Sequence, residues 1–465
     1  MNIKNESFRI ILCIVMSLFV VLNIYTGSNI YLWIFFTIVC LGLVIDSTEH
    51  KIEYLIYFIP WVYTLKFHFT GFSLYVPMSA LYVAVCIIYL LLWHNREITK
   101  GLILSYSVFA IYAITIPLFG EHTLTTTLGF LLNYTSILFA AILVRDEKAF
   151  GRYINIYALG LVSSSLVRLI GFVVPNINNY ITAMTSVDTV VAGARIHTRF
   201  AGLDLDPNYF ALQVLIAIAC LLVKIYYDQD GNKLSIVLLI LLTVFGLLSL
   251  SKMYIIMLIF LIVLTLASFF RNNMKAALKF LGSVLACVGA ALYFTYDFLY
   301  EAFLVRFVGS GVTASAITTG RIEVWNNFIH AILNNPKLLY VGAGFGSGYF
   351  NMCAHNMYLT ALYYMGIIGI VIILIFLGNL IKILQLNVAG QNKFRLVDVN
   401  TIPLFVLLIT NLSLDSFIMD YFPIHLLLVI FALGYQSNPP ENYQRGDIYN
   451  EILRQADDNM VNWNE

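Results

Sequence analysis

The chain has 465 residues, of which 60% are hydrophobic and only 11% are charged, and its formal net charge is +1. Soluble globular proteins carry about 25% charged residues, so an ordinary soluble domain is excluded. A near-neutral chain offers no broad basic surface for nucleic acid. Almost all of the six cysteines lie in apolar stretches and none forms a Cys-x-x-Cys pair, so neither a disulfide framework nor a cysteine metal site is expected.

Apolar runs of about 20 residues, the length that crosses a bilayer, recur along the chain. The first run is not followed by a small-residue cleavage site, and therefore predicts a membrane span rather than a removed signal peptide. Several runs are short or nearly abut, so we predict an all-α, polytopic transmembrane fold of about 12–14 spans. The runs are residues 8–26, 28–45, 52–65, 74–93, 101–118, 124–144, 153–174, 208–227, 234–250, 253–270, 277–296, 356–384, 401–418 and 421–435.

Lysine and arginine set the predicted orientation, because cytoplasmic loops are enriched in them. With a cytoplasmic N-terminus, 18 of the 26 cations fall in inner segments, and residues 436–465 form a polar cytoplasmic tail. Residues 1–435 are then one membrane domain with two long outer loops, 175–207 and 297–355, and long loops commonly carry function. The eight outer cations are Lys66, Arg168, Arg195, Arg199, Lys252, Arg306, Arg321 and Lys337.

The first long outer loop brings cations to the predicted membrane surface. Arg195 and Arg199 are four residues apart in it, or one helical turn if the segment is helical. Arg168 lies in the outer part of the preceding span, where a charge is costly unless it is paired or faces a cavity. It therefore either snorkels to the surface or lines a site.

The end of the same loop carries two aspartates. Asp206-Pro207-Asn208 begins the next span, where proline suits an early helical position and Asp206 is either the helix cap or part of a site. Asp204-x-Asp206 resembles the metal motif of soluble sugar-nucleotide transferases. No cluster of histidines and carboxylates accompanies it in the sequence, so we expect no metal site there.

In the second long outer loop, a helical sequence pattern begins at Arg321. Apolar residues recur at helical spacing across residues 322–332, and Pro336 ends the pattern, which predicts a short helix lying along the membrane surface. Arg321 is either solvated there or binds a phosphate, which its planar guanidinium suits. The glycine-rich residues 342–348 are either a flexible loop or a segment whose backbone N–H groups approach an anion.

His355-Asn356 lies at the mouth of the next span. Histidine has an unperturbed pKa near neutrality, so His355 can take a proton from a sugar hydroxyl. A lone histidine at a helix end is otherwise a structural residue. Gly366 and Gly369 follow three residues apart, and we expect them to share one helix face and allow close helix contact.

Together these residues resemble the superfamily of bacterial O-antigen ligases and Wzy-type O-antigen or capsule polymerases. The most specific part of the resemblance is the histidine motif, and the motifs cover about a fifth of the chain. The matching residues are His355-Asn356-x9-Gly366-x2-Gly369, Gly320-Arg321-x3-Trp325, Asn335-Pro336 with Gly342-Ala343-Gly344, and Arg199-x2-Gly202 with Asp206-Pro207-Asn208.

This resemblance implies a metal-independent, inverting glycosyltransferase of the membrane-embedded GT-C type in the bacterial cytoplasmic membrane. Its substrate would be an oligosaccharide on undecaprenyl diphosphate at the outer leaflet. Arg199 and Arg321 would bind the diphosphate, and His355 would deprotonate the acceptor hydroxyl. Its partners would be the lipid-linked oligosaccharide, membrane lipids, a flippase and a chain-length regulator, with no cofactor, metal or nucleic acid. Substrate-binding roles would fall to Arg195, Arg168, Arg306, Asp206, Asn208 and Asn356.

The sequence leaves the subtype open. Some polymerases carry Arg-x10-Gly in both outer loops, and no arginine of these loops has a glycine at that distance. A second lipid-linked substrate asks for extra cations, and Arg168, Arg195 and Arg306 favour a polymerase, whereas the histidine spacing is that of the ligases. A lipid-glycan transporter would favour charges in mid-span positions, and an inactive scaffold would need none of these motifs.

A topology test follows from the charge distribution. A reporter enzyme inserted at Gly309 or Ser347 should report the outer face, and one fused after Gln436 should report the cytoplasm, because the cations set this orientation. The measurement is the activity of compartment-specific reporters in cells. A cytoplasmic signal at Ser347 would contradict the orientation and place His355 at the wrong leaflet.

Overall fold

A computed structural model describes residues 6–67, 73–92, 100–118, 124–144, 149–184, 189–192, 195–228, 233–272, 321–345, 354–388, 398–417 and 419–435, with the single helical residues 274, 278 and 282. Two short 3-10 turns, Ile59–Trp61 and Val399–Thr401, extend helices. The first eleven helices are α1 (Glu6–Thr26), α2 (Ile30–Ile45), α3 (Lys51–Phe58), α4 (Tyr75–Leu92), α5 (Lys100–Leu118), α6 (Leu124–Leu143), α7 (Ala149–Gly171), α8 (Pro175–Met184), α9 (Pro207–Tyr227), α10 (Lys233–Leu248) and α11 (Lys252–Asn272). The others are α12 (Arg321–Asn334), α13 (Pro336–Tyr340), α14 (Met357–Val388), α15 (Ile402–Thr410) and α16 (Phe422–Gly434).

Seven of the described helices are long and apolar enough to cross a bilayer, which confirms the prediction of a helical, membrane-spanning chain at this level. Five further apolar helices in the described ranges are shorter than a full span. The total of 12–14 spans stays a prediction. The predicted span 277–296, apart from residues 278 and 282, lies outside the described residues, as do Arg306 and residues 436–465. The seven are Ser7–Thr26, Tyr75–Leu92, Thr126–Leu143, Ala149–Gly171, Pro207–Tyr227, Lys252–Phe270 and Met357–Ile383.

The described part also contains one strand pair, which the all-α prediction did not include. β1 (Thr189–Ala192) and β2 (Arg195–Thr198) pair antiparallel, with Thr189 opposite Thr198 and Ala192 opposite Arg195. The sequence TVVA is rich in β-branched residues, which favour a strand. The pair occupies the predicted outer loop 175–207, so the arginines there lie on and after a strand rather than on a helix.

Helix α9 is the centre of the bundle. Within its apolar window 83% of the residues are buried, whereas the value for α4 is 28%. A helix that is apolar all round is surrounded either by lipid or by other helices, and the high burial of α9 indicates other helices. Accordingly, α9 packs against α7, α10, α11, α15 and α16.

One end of the bundle is closed by buried charges. Glu53 in α3 accepts from Arg9 Nε of α1 at 3.0 Å and from Arg152 Nε of α7 at 3.3 Å. His50 Nδ1 lies 2.7 Å from the same carboxylate. A buried carboxylate requires such partners, because an uncompensated charge there is costly. The starts of α1, α3 and α7 therefore lie together at this end.

At the other end, one predicted span ends early and two others meet at a sharp break. The prediction of a span at 401–418 is wrong: α15 ends at Thr410, and residues 411–417 form turns and extended chain before α16 begins. The Asn411-Leu-Ser-Leu-Asp415-Ser sequence supplies polar groups that compete with helical hydrogen bonds. The predicted spans 234–250 and 253–270 do nearly abut, and the break between them lies at Leu250, whose φ is 51°.

Helix α14 is broken at Gly366, where φ is 61° and ψ is −179°. A Cβ on Gly366 would lie 2.5 Å from the carbonyl oxygen of Tyr340. The backbone at the end of α13 therefore packs directly against the break in α14. The Tyr112 hydroxyl, from α5, lies 2.8 Å from the carbonyl oxygen of Met365 and 2.9 Å from that of Val341. The expectation that Gly366 and Gly369 share one face of a continuous helix is therefore wrong, because Gly366 is the point where the helix breaks.

Replacing Gly366 by alanine should destabilise the protein strongly. The new Cβ meets backbone atoms that cannot yield, and its φ lies in the left-handed region, which together should cost about 3 kcal/mol of folding free energy. The measurement is the thermal unfolding midpoint of purified protein in detergent. Gly378→Ala, in the same helix with open space at its Cβ, is the matched control and should behave like wild type. Equal midpoints for the two variants would contradict this assignment of the break.

Candidate active site

Arg199 is held where β2 meets the break between α10 and α11. Its side chain is buried; Nε donates to the carbonyl oxygen of Ser249 at 3.1 Å, and an Nη donates to Asn208 Oδ1 at 2.9 Å. The backbone N–H of Phe200 donates to the carbonyl oxygen of Leu248 at 3.2 Å. These bonds fix the guanidinium against the C-terminal end of α10.

Residues at the start of α9 hold Arg199 from its other side. Asp206 caps the helix, accepting from the backbone N–H of Asn208 at 2.6 Å, as one of its two predicted roles required. Asn208 Oδ1 also accepts from Ser251 Oγ at 2.8 Å, at the start of α11. Asn208 therefore joins Arg199, α9 and α11. Its role toward a substrate, and that of Asp206, stay predictions.

Arg321 is the first residue of α12, where the sequence predicted a surface helix. Its Nη1 donates to the carbonyl oxygen of Ser413 at 2.8 Å, in the segment after α15. Partial burial lowers the pKa of the guanidinium, Asp206 and Tyr209 act in the opposite direction, and Arg199 lowers it further. An arginine stays protonated despite such a shift. Arg321 thus shares an electrostatic environment with Arg199 and Asp206.

His355 is placed by the residues on either side of it. Its φ is 49°, an uncommon conformation for a residue with a Cβ. Before it, the carbonyl oxygen of Ala354 accepts from Trp325 Nε1 of α12 at 2.9 Å. After it, Asn356 caps α14 through two backbone N–H groups and donates to the carbonyl oxygen of Leu412 at 3.1 Å. Residues with such backbone conformations cluster at functional sites.

The environment of His355 favours its neutral form. The imidazole is exposed on one side, yet desolvation by its neighbours lowers its pKa, and the positive charge of Arg321 lowers it further. Asp206 acts in the opposite direction. A neutral imidazole at neutral pH can accept a proton. The arrangement therefore combines a base with two fixed cations.

The structure gives the remaining predicted arginines different surroundings. Arg168 donates to Asn178 Oδ1 of α8 at 3.3 Å and lies over the ring of Phe172 at 4.8 Å, so α8 and an aromatic ring compensate its charge. Arg195 pairs through its backbone with Ala192 in the hairpin. Arg306 lies outside the described residues. Substrate binding by these three stays a prediction.

Two carboxyl groups near the site are buried: Asp415, which the sequence analysis missed, and Asp204, which it considered only as part of a metal motif. Asp415 is buried, its pKa is raised by burial to about 6, and its carbonyl oxygen accepts from the Tyr209 hydroxyl at 3.4 Å. Asp204 is also buried, its pKa is raised by burial to about 7, and it accepts from Gln213 Nε2 at 2.5 Å. A signal for Asp415 was present: an acidic residue within an apolar stretch near a membrane marks a site.

The glycine-rich segment does not serve the role of an anion cradle in the part that is described. The backbone N–H of Ala343 donates to the carbonyl oxygen of Tyr363 at 2.8 Å, and that of Gly344 donates to Tyr364 at 3.0 Å. These backbone N–H groups therefore form hydrogen bonds with the first half of α14. Gly342 and Gly344 have φ of 87° and 88°, which permits this close approach. Gly346 and Gly348 lie outside the described residues.

The described residues contain no group of three or more His, Cys, Asp or Glu side chains arranged to hold a metal ion. Asp204 Oδ1 accepts from the backbone N–H of Asp206 at 3.4 Å, so the Asp-x-Asp pair forms a local turn.

No model of a known protein family matches the chain. No curated protein matches it either.

The pKa of His355 should depend on its two charged neighbours. It should lie below the ordinary value of about 6.5, rise in Arg321→Gln, which removes a positive charge, and fall in Asp206→Asn, which removes a negative one. The rate of diethylpyrocarbonate modification of His355 against pH, followed by mass spectrometry, measures it. Lys337→Gln is the control and should leave the profile unchanged. A wild-type profile that Arg321→Gln does not move would contradict the coupling.

Proposed function

We propose that the protein is a polysaccharide polymerase of the bacterial cytoplasmic membrane. It joins oligosaccharide repeat units carried on undecaprenyl diphosphate at the outer leaflet, with both chain termini in the cytoplasm. The observation that carries the proposal is the grouping of Arg199, Arg321 and His355 at one end of the bundle, with each arginine oriented by fixed acceptors.

The two arginines suit a diphosphate leaving group. When the glycosidic carbon loses its bond to the diphosphate, negative charge develops on the departing oxygens. Guanidinium groups that are already oriented and partly desolvated stabilise that charge more than mobile surface cations do. Ser249, Asn208 and Ser413 orient Arg199 and Arg321 before substrate binds.

His355 suits the acceptor side of the same reaction. The acceptor hydroxyl oxygen attacks the anomeric carbon as the carbon–oxygen bond to the diphosphate breaks, and its proton passes to the neutral imidazole. The lipid diphosphate leaves with the bonding electron pair, and His355 then releases its proton to solvent. Attack opposite to the leaving group inverts the anomeric configuration.

Polymerase and ligase would share this chemistry and differ in the acceptor. A polymerase binds two diphosphate-bearing lipids, and the additional outer arginines Arg168, Arg195 and Arg306 support this assignment. The spacing of the His355 motif supports the ligase, which remains the alternative. A transporter is less well supported, because its charges would be distributed along the spans.

Removing His355 or Arg321 should abolish glycan transfer. His355→Ala and Arg321→Ala should lower activity by about 100-fold or more while the protein still accumulates in the membrane. Arg321→Lys should also be impaired, because an ammonium does not reproduce a bidentate phosphate contact. The assay is surface polysaccharide in a complemented deletion strain. His330→Ala, an exposed histidine of α12, is the control, and normal polymer from His355→Ala would exclude the base role.

Deleting the gene separates polymerase from ligase. A deletion strain of the native host should display single repeat units attached to the final acceptor, because polymerisation alone is lost. Gel sizing of the surface glycan and of the undecaprenyl-linked pool measures this. Long chains accumulating on undecaprenyl diphosphate would instead identify a ligase and contradict the polymerase assignment.

A further inference from the structure

A second polar group lies at the same end of the bundle, beyond the arginines. Asn133 Nδ2 of α6 donates to Asp420 Oδ1 at 2.9 Å. The Lys66 ammonium lies 5.3 Å from the centre of the Tyr63 ring, and its positive charge acts on the Asp420 carboxyl group. All four side chains are partly exposed. The mechanism proposed above uses none of them.

Their depth shows what they face. Asn133 lies nine residues, or about 13 Å, along α6 from Leu124. A carboxylate at such a depth is costly against lipid, so Asp420, which Asn133 contacts, faces the bundle interior or a water-filled depression. Helix α6 packs against α4, α5, α14 and α16, which places its contact with Asp420 inside the bundle. Partial exposure at that position indicates a depression that solvent enters.

The segment after α15 connects this depression to the arginines. The carbonyl oxygen of Ser413 accepts from Arg321, and the carbonyl oxygen of Asp415 accepts from the Tyr209 hydroxyl. Farther along, the Tyr421 ring lies 6.4 Å from that of Tyr209, and Met419 Sδ accepts from the Tyr63 hydroxyl at 3.7 Å. One stretch of chain therefore borders both groups, and a substrate with its diphosphate at Arg321 can extend toward Asp420.

We propose that Asp420, Asn133 and Lys66 form a saccharide subsite that binds a sugar ring of the lipid-linked glycan. This inference rests on the proposed function. A sugar ring presents adjacent hydroxyls that both donate and accept, which matches a carboxylate and an amide in contact, with the positive charge of Lys66 acting on the carboxylate. Asp420 Oδ1 accepts from Asn133, and the second carboxylate oxygen accepts from a hydroxyl. The half-buried rings of Tyr63 and Tyr209 border the subsite.

The test separates the two parts of the substrate. The probes are the repeat unit of the host's own surface glycan, released by mild acid without lipid or diphosphate, and methylene diphosphonate without sugar. Binding to the purified full-length protein is measured by calorimetry. Asp420→Asn preserves an acceptor for Asn133 while replacing the second carboxylate oxygen with a donor. Asn176→Ala, which removes an exposed amide bonded to the Tyr25 carbonyl, is the control.

Asp420→Asn and Asn133→Leu should bind the glycan about tenfold more weakly or worse, with diphosphonate affinity unchanged. Arg321→Gln should show the reverse, and Asn176→Ala should match wild type. Glycan affinity that neither variant changes, or wild type that binds no glycan, overturns the subsite. If Asp420→Asn loses both probes through misfolding, partly exposed Lys66→Gln decides, and unchanged glycan affinity there overturns it. A wild type that binds glycan through Asp420 yet forms no polymer overturns only the proposed function.

Discussion

Carbonyl oxygens that helices leave unpaired hold the candidate site together. Helix α10 ends at Leu248 and α15 ends at Thr410, so the carbonyl groups that follow have no partner within a helix. Three side chains donate to these carbonyl oxygens: Arg199 to that of Ser249, Arg321 to that of Ser413, and Asn356 to that of Leu412. Each bond satisfies a backbone acceptor and a side-chain donor at once; Arg199 and Asn356 are buried and Arg321 is partly buried, so neither group can be left without a partner.

This constraint also explains why the site is preorganised. The cations cannot reorient without leaving a helix end unsatisfied, so their direction is set before any anion binds. His355 is fixed in the same way, because Asn356 ties the start of α14 to the end of α15 and Trp325 ties Ala354 to α12. Fixed dipoles and charges stabilise a developing negative charge without reorganisation, which is the condition for electrostatic catalysis.

The sequence was informative where a residue type is rare in its surroundings. Cations are scarce in this chain, so Arg199 and Arg321 stood out, and the Asp206-Pro207 cap and the span mouth at His355 followed from local patterns. Sequence patterns did not predict the features that tertiary packing determines. Asp415 lay inside an apolar stretch that reads as a span, and the break at Gly366 depends on the backbone of Tyr340, 26 residues away. No local pattern encodes that contact.

We propose that this end of the bundle joins glycans with release of undecaprenyl diphosphate. Purified protein in liposomes, supplied with a single defined lipid-linked repeat unit, tests it most directly, with products sized by mass spectrometry. We expect chains of two or more repeat units and one undecaprenyl diphosphate released for each new linkage. Repeat units that move across the bilayer unchanged in size, with no lipid diphosphate released, would contradict it.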